Sequence, residues 1–131
     1  MIFTDTGGWF GMSVPEDHNY SAATNWLSRN YKPLLTTDYV VDETLTLLKS
    51  RGQGTLALSL GQQFFSGSLA TIYNLTEEDI WATWQVFTRY ADKEWSFTDC
   101  SSKVVMEKLG ITEAFAFDQH FRQFGTITVA P

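Results

Sequence analysis

The chain has 131 residues, 44% hydrophobic, 15% aromatic and 18% charged, which by length is one domain and by composition is neither disordered nor low-complexity. Nine basic against fifteen acidic side chains give a net charge of −6, a balance that argues against indiscriminate binding to a polyanion or an anionic membrane surface. A single cysteine, Cys100, and two histidines, His18 and His120, exclude an intrachain disulfide and a zinc site built on those residue types.

The opening run Met1-Ile2-Phe3-Thr4 reads as a short buried strand that stops at Asp5 and turns at Gly7-Gly8. After Pro15, the segment Glu16 to Asn30 has acids early, Arg29 late and Tyr20, Ala23, Trp26 and Leu27 at helical spacing. Pro33 then introduces a second strand, Leu34-Leu35-Thr36, and Thr37 or Asp38 suits the cap of a helix running to about Arg51, where Gly52 and Gly54 stop it. Thr55 to Phe65 reads as a third helix, and the β-branched and aromatic content of Leu69 to Leu75 predicts a strand. From Thr76, the acids Glu77, Glu78 and Asp79 make a capped first turn, and Ile80, Trp81, Trp84, Phe87 and Tyr90 or Ala91 form the expected buried stripe. A last helix spans roughly Thr98 to Leu109 with Gly110 beyond it, and Ala114 to Phe117 and Thr126 to Val129 read as strands around a helical turn, Gln119 to Gln123.

Short strands alternating with longer helices predict an α/β fold, three layers deep, with a mostly parallel central sheet covered on both faces. Ligands in such folds sit outside the carboxyl ends of the strands. Asp5 and Asp118 each follow an apolar run, so both are expected at that edge. The longest uninterrupted apolar stretch, Ala114 to Phe117, is four residues against the roughly 20 of a spanning helix, and no basic segment followed by an apolar core opens the chain. A cytoplasmic protein without a membrane partner is the expectation.

Four carboxylates draw attention, each with a simpler reading beside it. Asp5 also suits a turn, and Asp118 also suits capping of the turn begun by Gln119. Glu43 shares a helix face with Val40 and Leu47 and is costly there unless satisfied or at the edge of the stripe; its neighbour Asp42 reads as solvated. Asp99 follows Ser96 at the spacing of a capping box and precedes Lys103 by one helical turn, so a cap or an ion pair also explains it. All four nonetheless belong to element ends expected to converge on one sheet edge. Gathered carboxylates repel one another unless they take up protons or hold a cation. An all-oxygen set selects Mg²⁺ or Mn²⁺, and the chemistry it serves best is hydrolysis of a phosphodiester.

Four pieces of sequence, Ile2-Phe3-Thr4-Asp5-Thr6, Thr37-Asp38-Tyr39-Val40-Val41-Asp42-Glu43-Thr44-Leu45, Ser96-Phe97-Thr98-Asp99-Cys100-Ser101-Ser102 and Ala116-Phe117-Asp118-Gln119-His120-Phe121, occur in an order and spacing that cover almost the whole chain. In these the chain resembles PIN-domain ribonucleases, and among them toxins of the VapC type from bacterial toxin-antitoxin pairs. The resemblance implies a single PIN-like nuclease domain over residues 1–131, with Asp5, Glu43, Asp99 and Asp118 as a catalytic quartet that holds Mg²⁺ or Mn²⁺, and RNA as substrate. It further implies a homodimer and a small antitoxin seated in an apolar groove near the site, for which Trp9-Phe10, Phe64-Phe65, Trp81 and Trp84 supply material.

Gly7 departs from the small polar residue the family more often has after its Asp-Thr pair, and His120 is expected to be structural, with a general base as the alternative. Candidate phosphate contacts are Thr6 and the basic residues Lys49, Arg51, Lys103 and Arg122, whose other reading is solvated helix ends. Two readings compete with the toxin: a catalytically silent PIN fold serving as a protein-binding module, and a free-standing RNA-processing nuclease. A phosphotransferase with Asp5 as nucleophile lacks its second acid two residues on, where Gly7 stands.

Overall fold

In the computed structural model, which describes all 131 residues, five short strands form one fully parallel sheet in the order β3-β2-β1-β4-β5. In chain order these are β1 (Ile2–Thr4), α1 (Thr6–Ser13), α2 (Tyr20–Arg29), β2 (Leu34–Thr37), α3 (Asp38–Ser50), α4 (Gly54–Phe65), β3 (Thr71–Tyr73), α5 (Glu77–Arg89), α6 (Phe97–Leu109), β4 (Glu113–Phe115), a 3₁₀ turn (Gln119–Gln123) and β5 (Thr128–Ala130). Parallel neighbours require crossover connections, and right-handed crossovers put α1 to α4 on one face of the sheet and α5 and α6 on the other. The helix contacts agree, since α3 packs on α1 and α4 while α5 packs on α6. The expected α/β fold with both faces covered is therefore present.

The chain winds outward from β1 through β2 to β3, then returns to place β4 on the other side of β1. The order thus reverses between β1 and β4. That is the switch point where crevices open at the carboxyl ends of parallel strands, and Asp5 and Asp118 leave the sheet from these two strands. Around it lies an aromatic core of Phe3, Trp9, Phe64, Phe115 and Phe121, each no more than 1% exposed. Trp9 meets Phe64 edge-on at 5.0 Å and donates its indole N–H to Thr36 Oγ1 at 3.2 Å. Trp9 and Phe64 are therefore core and not surface for a partner, while Phe65 is 74% exposed.

Several segments differ from the sequence expectation. Gly7 and Gly8 lie inside α1 and not in a turn. At Gly8 a Cβ would stand 2.8 Å from the Phe115 carbonyl oxygen and 3.0 Å from its ring, so glycine is there to let the helix lie directly on β4, and this packing overrides its poor helix propensity. The second helix begins at Tyr20, because Asn19 N–H is drawn to the Asp17 carboxylate at 3.0 Å in a preceding turn. The strand expected over Leu69 to Leu75 shortens to β3, and those expected over Ala114 to Phe117 and Thr126 to Val129 become β4 and β5.

The largest difference is the face of α5. Ile80, Trp81, Trp84 and Phe87 are exposed, whereas Asp79 and Thr83 are buried, with Val86 and Tyr90 continuing the inward face. Spacings of four, three and four residues make 79, 83, 86 and 90 one helical stripe. Its polar members are satisfied: Asp79 accepts from Tyr73 Oη at 2.6 Å, Lys108 Nζ at 2.9 Å and Thr76 N–H at 3.0 Å. Burial pushes the Asp79 carboxyl up, but the hydrogen bonds from Tyr73, the Thr76 backbone and Lys108 outweigh it and hold the group well below the usual range. No helix is long and apolar enough to cross a membrane.

Candidate active site

A cleft of about 500 Å³ opens at the β1/β4 switch point, and Asp5, Glu43, Asp99 and Asp118 all line it. Each reaches it by local backbone chemistry. Asp5 sits between β1 and α1, its N–H bonded to the Phe115 carbonyl at 3.2 Å. Glu43 lies one turn into α3, whose start is fixed by Thr37 Oγ1 accepting from Val40 N–H at 3.1 Å. Asp99 occupies the third position of α6, where Ser96 Oγ accepts its N–H and Asp99 Oδ2 accepts the Ser96 N–H, both at 3.0 Å. Asp118 caps the 3₁₀ turn by accepting His120 N–H at 2.9 Å. The capping readings of Asp99 and Asp118 are thus correct, and these caps are what hold the two side chains at the cleft.

Hydroxyls and an imidazole tie the acids together. Thr6 Oγ1 donates to Glu43 Oε1 at 2.5 Å and accepts from Thr44 Oγ1 at 3.2 Å. His120 Nδ1 lies 2.9 Å from Asp99 Oδ2 and 3.3 Å from Asp118 Oδ1. Asp5 has much less support: it is 4% exposed, and its Oδ1 is buried with no hydrogen-bond partner.

The electrostatics follow from this crowding. Burial, then the charges of Asp99, Glu43 and Asp118, push the Asp5 carboxyl up to about 8 against a backbone hydrogen bond from Thr6 that lowers it. Glu43 is raised as well, first by burial and then by Asp99, Asp118 and Asp42, opposed by the Thr6 hydroxyl. Arg51 is the only lysine or arginine lining the cleft. A buried acceptor without a donor, surrounded by like charges, fits a divalent cation, whose charge would remove both penalties. Asp99, Asp118 and His120 each offer a ligand atom within 4.8 Å of the others.

No protein-family model matches the chain. A relative does: the 23S rRNA-specific endonuclease VapC20 of Mycobacterium tuberculosis is 30% identical over 131 residues, spanning 100% of this chain and 99% of that one. The chain belongs to the VapC family of PIN-domain ribonucleases. The crystal structure of that relative, described as a sarcin-ricin loop cleaving toxin, superposes with a TM-score of 0.92 at 28% identity over 100% of both chains. FitAcB from Neisseria gonorrhoeae has the same fold, with a TM-score of 0.71 at 15% identity over 100% of this chain and 97% of the other.

Of the candidate phosphate contacts, only Thr6 and Arg51 line the cleft. Thr6 spends its hydroxyl proton on Glu43. Lys49 and Arg122 are exposed elsewhere. Lys103 pairs with Glu107, not with Asp99, and lies 5.9 Å from the centre of the Tyr90 ring. Asp42 is solvated as expected. Gly7 faces the cleft, and a Cβ there would make only ordinary contact with Phe117, so the departure from the family pattern leaves room without a clash. Sequence reading assigned His120 no contact with the acids. Its signal was present in the Asp-x-His spacing, because an Asp that caps a turn places the residue two positions on beside its own carboxylate.

Proposed function

We propose that this protein is a metal-dependent endoribonuclease, the toxin half of a toxin-antitoxin pair, working as a single domain over residues 1–131. The observation that carries the metal site is the buried, partnerless Oδ1 of Asp5 among three further carboxylates. Asp5, Glu43, Asp99 and Asp118 are the residues that would hold the ion. Mg²⁺ or Mn²⁺ suits their oxygen donors, and when bound it supplies Lewis acidity toward water and toward a phosphate oxygen.

The chain's own groups prepare that site. Thr6 fixes the Glu43 carboxylate, and the Ser96 capping box fixes Asp99. Arg51 lines the cleft, and its guanidinium would donate to a phosphate oxygen there. The long family likeness supports RNA as substrate, and the relative's named target makes 23S rRNA the first RNA to test. An exposed apolar face on α5, with Trp81 at 63% and Trp84 at 49% exposure, supports an antitoxin partner, and a homodimer in the cytoplasm completes the proposal.

The decisive experiment incubates the purified chain with 23S rRNA in Mg²⁺, in Mn²⁺ and in chelator. Cleavage is expected only with metal and is expected to disappear in Asp99→Asn with the fold intact by circular dichroism. Undiminished cleavage by that variant, or in chelator, refutes the assignment. Absence of cleavage with Mn²⁺ binding that does not depend on Glu43 favours the silent binding module.

A further inference from the structure

We propose that His120 is a positioning residue that clamps Asp99 and Asp118 together, its Nδ1–H donating to Asp99 and its backbone N–H to Asp118, so that each acid keeps its other carboxylate oxygen free for a cation. The inference rests on the ribonuclease reading above. It starts from Nδ1 standing 2.9 Å from Asp99 Oδ2 and 3.3 Å from Asp118 Oδ1. Ionised carboxylate oxygens only accept hydrogen bonds, so the nitrogen facing both of them carries the proton. A ring nitrogen that donates in this way has no lone pair left for a metal.

The bonding divides each carboxylate in two. Asp99 Oδ2 also accepts the Ser96 N–H at 3.0 Å, and Asp118 Oδ1 also accepts the backbone N–H of His120 at 2.9 Å. Asp99 Oδ2 therefore accepts two hydrogen bonds from the protein, and Asp118 Oδ1 accepts one with the His120 ring standing beside it. Asp99 Oδ1 and Asp118 Oδ2 accept no hydrogen bond, and both residues line the cleft. The clamp also joins two segments that no strand pairing connects at this point, the start of α6 and the turn after β4, the partners standing 21 positions apart in the chain. An imidazole N–H serves here where an ammonium would not, since a lysine between the same acids would neutralise the charge the cation needs.

Asparagine and alanine at this position separate the clamp from the alternatives. An asparagine amide can place an N–H donor where Nδ1 stands, but it supplies neither an imidazole ligand nor a base. Titration calorimetry with Mn²⁺ alone is expected to give His120→Ala an affinity about 10–100-fold below wild type, the usual penalty for losing an outer-shell partner, with His120→Asn restoring most of it. Nitrogen NMR of the wild-type protein is expected to show a protonated Nδ1 before and after saturation with Mg²⁺, a readout that holds even if the alanine variant does not fold.

Equal Mn²⁺ affinity in the alanine variant, an asparagine variant as weak as alanine, or a bare Nδ1 in the wild type overturns the clamp and leaves the ribonuclease reading standing. Wild-type protein that binds no Mn²⁺ overturns both.

Discussion

Replacing Asp5 with asparagine separates what its charge costs the fold from what that charge is for. The carboxyl is 4% exposed, one oxygen lacks a partner, and burial with the Asp99, Glu43 and Asp118 charges raises it from 3.8 to about 8. The folded state therefore binds this proton more tightly than the unfolded chain does. Its stabilising effect is complete below about pH 4 and is lost as pH rises through about 8, with a slope of up to about 1.4 kcal/mol per pH unit. Over the whole window the loss is on the order of 5 kcal/mol. Asparagine abolishes that slope but leaves an amide as poorly partnered as the acid, a penalty of about 1–3 kcal/mol. The expected result in chelator is a variant more stable than wild type by roughly 2–4 kcal/mol near pH 8 and no more stable than wild type near pH 4. Urea unfolding across that range measures it directly. Mn²⁺ should then stabilise the wild type at the upper end of the range and leave the variant nearly unchanged. Parallel stability curves for the two proteins would refute the claim that Asp5 is a charge held against its own electrostatics.

Three further outcomes test the packing. Gly8→Ala sets a methyl 2.8 Å from the Phe115 carbonyl, and since backbone cannot yield there, denaturant unfolding should show a loss of about 1–3 kcal/mol. Trp81→Ser, at a side chain 63% exposed, should change stability by less than about 0.5 kcal/mol, and a loss several times larger would return the α5 stripe to the core. Cys100 is 1% exposed, and burial, then the neighbouring Asp99, pushes its thiol up to about 11. It should resist alkylation near pH 8 in the folded protein and react readily in urea, so rapid labelling without denaturant would mean that α6 opens.

The features legible in the sequence are those decided within a few residues. Thr37 before α3 and the reciprocal Ser96/Asp99 pair at the start of α6 are caps whose partners lie three positions away. The alternation of short strands and helices was enough to predict a parallel sheet and to send Asp5 and Asp118 to one edge. What escaped reading depends on partners far along the chain. Gly7-Gly8 reads as a turn until β4, more than a hundred residues later, presents the surface that α1 must approach. The aromatic stripe of α5 outranks its polar neighbour in any hydrophobic count. Asp79 nevertheless takes the inward face, because Tyr73 and Lys108 supply donors from β3 and α6. Lys103 had two acids within one helical turn. Ser96 and, from the turn after β4, His120 hold the Asp99 carboxylate at the cleft, and the lysine pairs with Glu107.

The same commitment of local bonds reconciles the chain's acidity with an RNA substrate. A net charge of −6 disfavours loose binding to a polyanion anywhere on the surface, and the carboxylates at the β1/β4 switch point would repel a phosphate most strongly of all. Arg51 alone cannot reverse that field. A divalent cation can, because it is the largest local charge in any site that holds it and inverts the sign just where the phosphate must approach. On the proposed site, affinity for RNA would be conditional on the cation, and the acids that would exclude nucleic acid from the metal-free protein would be the same ones that admit it once the ion is in place.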